Sequence, residues 1–149
     1  MFQINEGTLC VPEQWLDKSL NIFQIPAQGQ AKAASFIISR DETQGQRSFA
    51  HYIADQVRQC EEQLPGFQLL QRHILSDPCS YAWLDYTWQS PETKVLMRQL
   101  YFERRPAIVI MSLTTTPEDA HTHEATWREV IRSTQLTELS QPDPAARVL

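Results

Sequence analysis

The segment from Lys94 to Thr115 limits most strongly how this chain can fold. It is dominated by Val, Ile, Leu, Tyr, Phe and Thr, which pack well on a pleated, half-buried surface. Only residues 103–106, Glu-Arg-Arg-Pro, interrupt this composition. The segment therefore predicts two long antiparallel strands joined by a turn at those four residues. The expected cross-strand pairs are Phe102 with Ala107, Leu100 with Val109, and Leu96 with Leu113.

Alternation along the two strands sorts their side chains onto two faces of the sheet. The first face takes Leu96, Leu100, Phe102, Val109, Met111 and Leu113. The second takes Val95, Met97, Gln99, Tyr101, Ile108, Ile110, Ser112 and Thr114. A sheet with one solvated face alternates between apolar and polar residues, whereas both of these faces are apolar and the second also holds isolated polar groups. We therefore expect the second face to be covered by the protein's own helices, by a second subunit or by a ligand.

The rest of the chain supplies further strands and two helices. Strands are predicted at 2–4, 8–11, 19–25, 34–39, 67–75 and 80–89. A helix is predicted at 49–64 from its apolar spacing of three and four, with Ser48 as its cap and Pro65-Gly66 as its stop. A last helix is predicted from Pro117 to about residue 133. The strands follow one another too closely for crossover helices, so we predict an α+β fold with a mainly antiparallel sheet and helices packed on it.

Length and charge place broad limits on the protein. At 149 residues the chain is long enough to bury a core, and we expect one domain over 1–138 and a flexible C-terminal tail over 139–149. The net charge of −5 weighs against nucleic acid or an anionic membrane as partner. The N-terminus lacks the pattern of a signal peptide, and no stretch approaches the ~20 apolar residues of a membrane span, so we expect a cytoplasmic protein.

Candidate chemical groups are few. His121 and His123, two residues apart on a predicted helix, point in different directions and cannot chelate a metal from one face. Cys10, Cys60 and Cys79 are widely spaced and contain no CxxC, which fits a reducing compartment without disulfides. The chain has only four glycines and no Gly-rich phosphate loop. We therefore expect no enzyme activity, no catalytic residue, no metal and no cofactor.

Polar residues are instead scattered over apolar faces. The groups are Leu20, Ile22 and Gln24; Ser35, Ile37 and Ser39; Val95, Met97, Gln99 and Tyr101; and, at helical spacing, Gln56, Cys60 and Leu64. An apolar groove with a few Ser and Gln groups suits a partner helix that is itself apolar with occasional polar positions. The alternative is that these residues make ordinary core and dimer contacts.

Five segments of the chain resemble the Eag chaperones of bacterial type VI secretion. They are WLDKSLNIF at 15–23, ASFIISRD at 34–41, EQLPGF at 62–67, RQLYFERRPA at 98–107 and LTTTP at 113–117. The resemblance runs over about residues 2–133. It implies a PsbP-like α+β sandwich and a cytoplasmic homodimer. It also implies that the protein shields the N-terminal transmembrane helices of a type VI effector, often of the PAAR and Rhs type, until the effector is loaded on the secretion spike.

The resemblance also assigns roles to residues. It implies apolar gripping positions at Leu20, Ile22, Leu64 and Val95. It implies polar positions at Ser35, Ser39, Gln56 and Gln99, and Cys60 stands where a small residue is expected. Ile37 and Met97 share the same predicted faces and complete the expected effector-helix site.

Two other functions stay open from the sequence. The apolar face can be a permanent dimer interface of a structural or regulatory protein. Alternatively, Asp85, His73 and Tyr101 can line a pocket of a small-ligand binder or enzyme. A gene for an effector with N-terminal apolar segments beside this one would favour the chaperone. The sequence identifies neither the effector nor the stoichiometry of a complex.

Overall fold

The structure is a computed structural model that describes residues 1–42, 47–75 and 80–136. The strands are β1 (Phe2–Ile4), β2 (Gly7–Leu9), β3 (Asn21–Ile25), β4 (Ala34–Glu42), β5 (Gln68–Leu75), β6 (Tyr81–Gln89), β7 (Lys94–Arg104) and β8 (Ala107–Thr115). The helices are α1 (Phe49–Gln63) and α2 (Ala120–Ser133), and a 3-10 turn at Pro117–Asp119 leads into α2. The predicted elements are all present, but some bounds differ from those predicted. The strand β2 ends at Leu9 and not at residue 11, β3 begins at Asn21 and not at residue 19, and β4 continues past its predicted end at residue 39. Cys79 and the predicted tail at 139–149 lie outside the described residues.

Six strands form one sheet in the order β3-β4-β8-β7-β6-β5, and every neighbouring pair is antiparallel. The strands β1 and β2 form a separate hairpin. The chain passes from β4 through α1 to β5, which lies at the far edge of the sheet. The predicted α+β class with a mainly antiparallel sheet is confirmed.

The central hairpin corrects the predicted register. Phe102 pairs with Val109 and Leu100 with Met111, because the turn contains only Arg105 and Pro106. Each predicted partner was therefore two residues too early in β8. A shift of two residues leaves the direction of every side chain unchanged, so the predicted division of the two strands into two faces is confirmed.

The two helices pack on opposite faces of the sheet. On one face α1 buries Phe49, Ile53 and Val57 against a cluster that includes Leu84 and Tyr101. On the other face α2 buries Trp127 against Leu100, Met111 and Leu113. Leu100 and Tyr101 are consecutive on β7 and point to opposite sides. The protein is therefore a three-layer sandwich in which the sheet lies between α1 and α2.

The ends of α1 follow from local chemistry. The Ser48 hydroxyl accepts a hydrogen bond from the backbone N–H of His51 at 3.2 Å, which satisfies one of the free donors of the first turn. At the other end, Gly66 adopts a φ of +65°, a conformation that glycine reaches without steric cost. The backbone N–H of Gln89 then donates to the carbonyl oxygen of Pro65 at 2.8 Å. This bond fixes the C-terminal end of α1 at the end of β6.

A buried ionic cluster attaches α2 to the sheet. Arg98 on β7 pairs with Asp85 on β6, with Nε 3.4 Å from Oδ1, and also with Glu124 on α2. The guanidinium lies over the rings of Trp83 and Trp127, at 5.7 and 5.6 Å from their centroids. Asp85 also accepts from Trp83 Nε1 at 2.7 Å. The Glu124 carboxylate accepts hydrogen bonds from Arg128 and from Arg98, and these bonds, the one from Arg128 most of all, hold the pKa of Glu124 below its usual value.

Candidate functional site

The α1 side of the sheet is covered over only part of its width. The hydrophobic cluster beneath α1, taken over the described residues, draws its strand residues from β5, β6, β7 and β8 and none from β3 or β4. On β3, Ile22 is 61% exposed although it is a large apolar residue in a regular strand. The open part of this face, bordered by α1, is called the groove below.

Rows of paired residues form the floor of the groove. One row runs Ile22, Ile37, Ser112 and Gln99 across β3, β4, β8 and β7. The next runs Gln24, Ser35, Thr114 and Met97. A third runs from Ser39 through Ile110 to Tyr101, where α1 covers the sheet. Paired residues of neighbouring strands point to the same side of the sheet. Each row thus mixes apolar side chains with short polar ones, as the sequence predicted.

One stripe of α1 forms the wall of the groove. Its members are Tyr52, Gln56 and Cys60, spaced by four residues so that they lie on one side of the helix. Leu64, the residue that follows the last turn of α1, extends this stripe. The Tyr52 hydroxyl donates to Asp41 Oδ2 on β4 at 2.6 Å, which places this stripe next to the open strands. Val95, at the start of β7, is buried on the same face.

The polar groups of the floor fall into two kinds. Gln99 is fixed, since its Nε2 donates to Ser112 Oγ at 3.1 Å and its Oε1 accepts from the Tyr101 hydroxyl at 2.5 Å. By contrast, the side chains of Ser35, Ser39 and Gln56 have no hydrogen-bond partner within the described part of the chain. The groove therefore offers hydrogen-bonding groups that are not used inside the protein.

Burial keeps the titratable groups of the wall and floor neutral. It raises the pKa of Cys60 and, more strongly, those of Tyr52 and Tyr101. A thiol is a nucleophile only as the thiolate, so the raised pKa of Cys60 disfavours a nucleophilic role. The arrangement suits binding by contact and hydrogen bonding, and supplies no activated acid, base or nucleophile at these positions.

The structure brings together nine of the eleven residues predicted for the site. Ile22, Ser35, Ile37, Ser39, Met97 and Gln99 lie on the floor, and Gln56, Cys60 and Leu64 lie on the wall. Val95 shares this face of β7 but is buried, at 8% exposed. Leu20 is exposed but precedes β3, so strand alternation does not assign it to a face. The predicted list omitted Gln24, Ser112 and Thr114, which the same alternation places beside Ser35, Ile37 and Met97.

The alternative pocket of Asp85, His73 and Tyr101 does not form. His73 pairs with Trp83, on the α2 side with Asp85, whereas Tyr101 packs under α1. The three side chains are thus divided between opposite faces. Among residues 1–42, 47–75 and 80–136, no group of three or more His, Cys, Asp and Glu side chains is placed to hold a metal ion. No helix in those ranges is both long and apolar enough to cross a membrane.

Comparison with known proteins gives consistent matches. The profile of the DcrB family matches residues 6–133. The chain is 43% identical over 134 residues to a Pseudomonas aeruginosa protein named Effector EagT6, covering 89% of this chain and 93% of that protein. A crystal structure of a Pseudomonas aeruginosa protein of unknown function, described as a putative regulator, superposes with a TM-score of 0.83 at 41% identity, over 93% of this chain and 96% of the other.

A more distant match concerns the fold alone. The solution structure of cyanobacterial PsbP from Synechocystis superposes with a TM-score of 0.50 at 11% identity, over 79% of this chain and 82% of the other. The predicted PsbP-like architecture is confirmed.

Proposed function

This chain belongs to the DcrB family and to its Eag members, and from that premise we propose that it is a chaperone for a type VI secretion effector. Its client is the N-terminal transmembrane region of an effector of the PAAR and Rhs type. The chaperone binds the client's apolar helices in the groove, in the cytoplasm, and keeps them soluble until the effector is loaded on the secretion spike. This role needs no cofactor and no chemical step.

The composition of the groove is the observation that carries this proposal. A purely apolar groove would suit any hydrophobic surface, and a permanent interface has little reason to keep Ser35, Ser39 and Gln56 without partners. A transmembrane helix is different, because it is apolar overall and carries occasional polar residues that pair with neighbouring helices in a bilayer. The groove offers both kinds of contact on one surface, as a neighbouring membrane helix would.

Apolar burial supplies the energy for holding such a helix. A helix of ~20 apolar residues exposes more apolar surface than soluble proteins tolerate without association. Burying ~1,000 Å² of it contributes about 25 kcal/mol before costs, at ~25 cal/mol per Å². Ordering and association offset most of this gain. The remainder sets the affinity of the complex and depends on the apolar side chains in the groove.

The polar groups add specificity more than affinity. A hydrogen bond between membrane helices contributes about 0.6 to 2 kcal/mol, and we expect a similar value in the groove. Because Tyr101 and Ser112 hold the Gln99 amide in one orientation, little side-chain entropy is lost when it meets the client. A client with polar residues at matching positions is therefore favoured over a uniformly apolar helix.

A homodimer is part of the proposal. Trp15 and Leu16 are exposed in the segment before β3, and Leu69, Leu70 and Leu75 are exposed on the edge strand β5. Large apolar side chains in such numbers on a surface indicate an interface. Two copies also provide two grooves, which suits an effector region that contains more than one transmembrane helix.

Co-expression tests the proposal. A tagged N-terminal apolar segment of an effector encoded beside this gene is expressed alone and together with this protein, and the soluble fraction is purified through the tag. We expect the segment to be soluble only in the co-expression, and native mass spectrometry to find it bound to this protein. A segment that is soluble alone, or insoluble in both cases, would contradict the proposal.

A further inference from the structure

The groove has a narrow end and a wide end, because α1 crosses the sheet obliquely. Near the start of α1, the Tyr52 hydroxyl reaches β4 and donates to Asp41 Oδ2 at 2.6 Å. After the far end of α1, the Pro65 carbonyl oxygen accepts from the backbone N–H of Gln89 at the end of β6. The strand β6 is three places away from β4 in the sheet, about 14 Å at ~4.8 Å per strand. The open floor therefore widens from Asp41 towards Ser35, at the start of β4.

The hydrogen bond between Tyr52 and Asp41 links the wall of the groove to the outer strands β3 and β4. The apolar cluster beneath α1, taken over the described residues, includes no residue of either strand. Within residues 1–42, 47–75 and 80–136, no other side-chain hydrogen bond or ion pair joins α1 to these two strands. The strand β4 pairs with the rest of the sheet through β8, and β3 pairs with β4 at the edge. This bond is therefore the contact that holds the wall against the outer strands.

The ring of Tyr52 is anchored on the covered part of the floor. It packs edge-on against Tyr101 of β7, with ring centroids 6.3 Å apart and an interplanar angle of 67°, and Tyr101 is only 3% exposed. Burial, and after it the hydrogen bond to Asp41, raise the pKa of Tyr52, so the hydroxyl keeps the proton that it donates. A hydrogen bond from a hydroxyl to a carboxylate is stronger than one between neutral groups. The link thus has one side fixed on β7 and the other on β4.

We propose that the hydrogen bond between Tyr52 and Asp41 is a clasp that closes the narrow end of the groove and positions the client helix. This role rests on the proposed chaperone function. With the clasp formed, α1 and β4 keep a fixed separation, and the client helix lies in the wider part of the groove with its end at the clasp. Without the clasp, β3 and β4 move away from α1 and the client helix slides past Asp41. Tyr52 and Asp41 are therefore positioning residues.

Hydrogen exchange in the free protein tests the clasp without a client. We expect the backbone amides of β3 and β4 to exchange about tenfold or more faster in Tyr52→Phe, the worth of a hydrogen bond to a charged group, while the amides of β6 and β7 keep their rates. Tyr81→Phe, on the opposite side of the sheet, is the matched control and should change neither. Asp41→Ala should match Tyr52→Phe, and the double variant should exchange no faster than either single variant, because each removes the same bond. Asp41→Asn keeps an acceptor oxygen for Tyr52 and should retain part of the protection.

Cross-linking to the client tests the positioning role. Protein with a photoreactive phenylalanine analogue at Ile37, with and without Tyr52→Phe, is co-expressed with the N-terminal apolar segment of the effector encoded beside this gene. The cross-linked residues of the client are mapped by mass spectrometry. We expect the protein with the clasp to react with a single short stretch of the client helix, and Tyr52→Phe to react over a stretch at least twice as long.

The two readouts separate the ways in which the proposal can fail. The clasp is overturned if Tyr52→Phe leaves exchange in β3 and β4 unchanged, if exchange rises equally in β6 and β7, or if Asp41→Asn exchanges as fast as Asp41→Ala. It is also overturned if Ile37 cross-links to the same client residues with and without the Tyr52 hydroxyl. If Ile37 reaches no client residue in the protein with an intact clasp, the proposed chaperone function fails, and the positioning role fails with it.

Discussion

Ile22→Asp is the substitution that tests the groove most sharply. Ile22 lies in the first row of the groove floor and is 61% exposed in the free protein. Because little of it is buried, the stability cost is the lower β-propensity of Asp, about 1 kcal/mol or less, and the variant should fold. The substitution should instead weaken client binding, because the client covers the part of the Ile22 side chain that is exposed in the free protein.

The loss of binding has two contributions. Fully burying an Ile side chain contributes about 1.5–3 kcal/mol, so the 61% that is exposed before binding corresponds to about 1–2 kcal/mol. The introduced carboxylate must also be protonated if the client buries it. With an ordinary pKa near 3.9, protonation at pH 7 costs about 4 kcal/mol at 1.36 kcal/mol per unit. We therefore expect the client to bind at least about fivefold more weakly, and up to about 10⁴-fold more weakly if the carboxylate is fully buried.

The pH dependence separates the two contributions. If the client buries the introduced carboxylate, the free-energy cost of protonating it falls by 1.36 kcal/mol for each unit by which the pH is lowered. The affinity of Ile22→Asp for the client therefore recovers about tenfold per unit from pH 7 down to pH 5. Ile22→Asn loses the apolar contact without this pH dependence. Ile4→Asp, at a position 47% exposed in the separate hairpin of β1 and β2, is the matched control. Equal affinity of Ile22→Asp and Ile4→Asp for the client, measured by fluorescence anisotropy, would refute the assignment of the groove.

Three further substitutions or modifications have defined outcomes. Gln99→Ala should fold but bind the client about fivefold more weakly, at roughly 1 kcal/mol for the lost hydrogen bond; undiminished co-purification would exclude Gln99 from the site. Arg98→Met should lower the free energy of urea unfolding by about 3–5 kcal/mol, because it leaves the buried Asp85 unpaired; a loss below ~1 kcal/mol would contradict the importance of this ion pair. Burial raises the pKa of Cys60, so at pH 8 this thiol should react with iodoacetamide more slowly than the exposed Cys10. Its reaction should become faster as the pH is raised, and a bound client should protect it. Peptide mass spectrometry that finds the two thiols equally reactive would refute this.

Alternation was the most reliable source of prediction. The predicted register of β7 and β8 was two residues off because the turn is tighter than four residues. The predicted faces were nevertheless right, since side-chain direction repeats every two residues. Local chemistry was equally informative at α1, where the Ser48 cap and the stop at Gly66 lie as predicted. Properties set by near neighbours in the sequence were therefore accessible without a structure.

Properties set by long-range packing were not accessible. Nothing local indicates that α1 covers β6 and β7 while leaving β3 and β4 open, and that partial cover is what makes the floor a groove. Likewise, Asp85 becomes the partner of Arg98 only through the register of β6 against β7. The sequence suggested Asp85 as a possible chemical group, whereas the structure uses it to hold a buried guanidinium.

The central claim is that an effector's transmembrane segment lies in the groove, and site-specific photo-cross-linking tests it most directly. A photoreactive phenylalanine analogue is placed at Ile37, in the middle of the floor, and in a second protein at Glu129, an exposed position of α2 on the opposite side of the sheet. Each is co-expressed with the client segment and irradiated, and the products are identified by mass spectrometry. We expect the Ile37 position to cross-link to the apolar part of the client and the Glu129 position not to. Cross-links from Glu129 alone, or none to the client from Ile37 while the complex remains intact, would contradict the account.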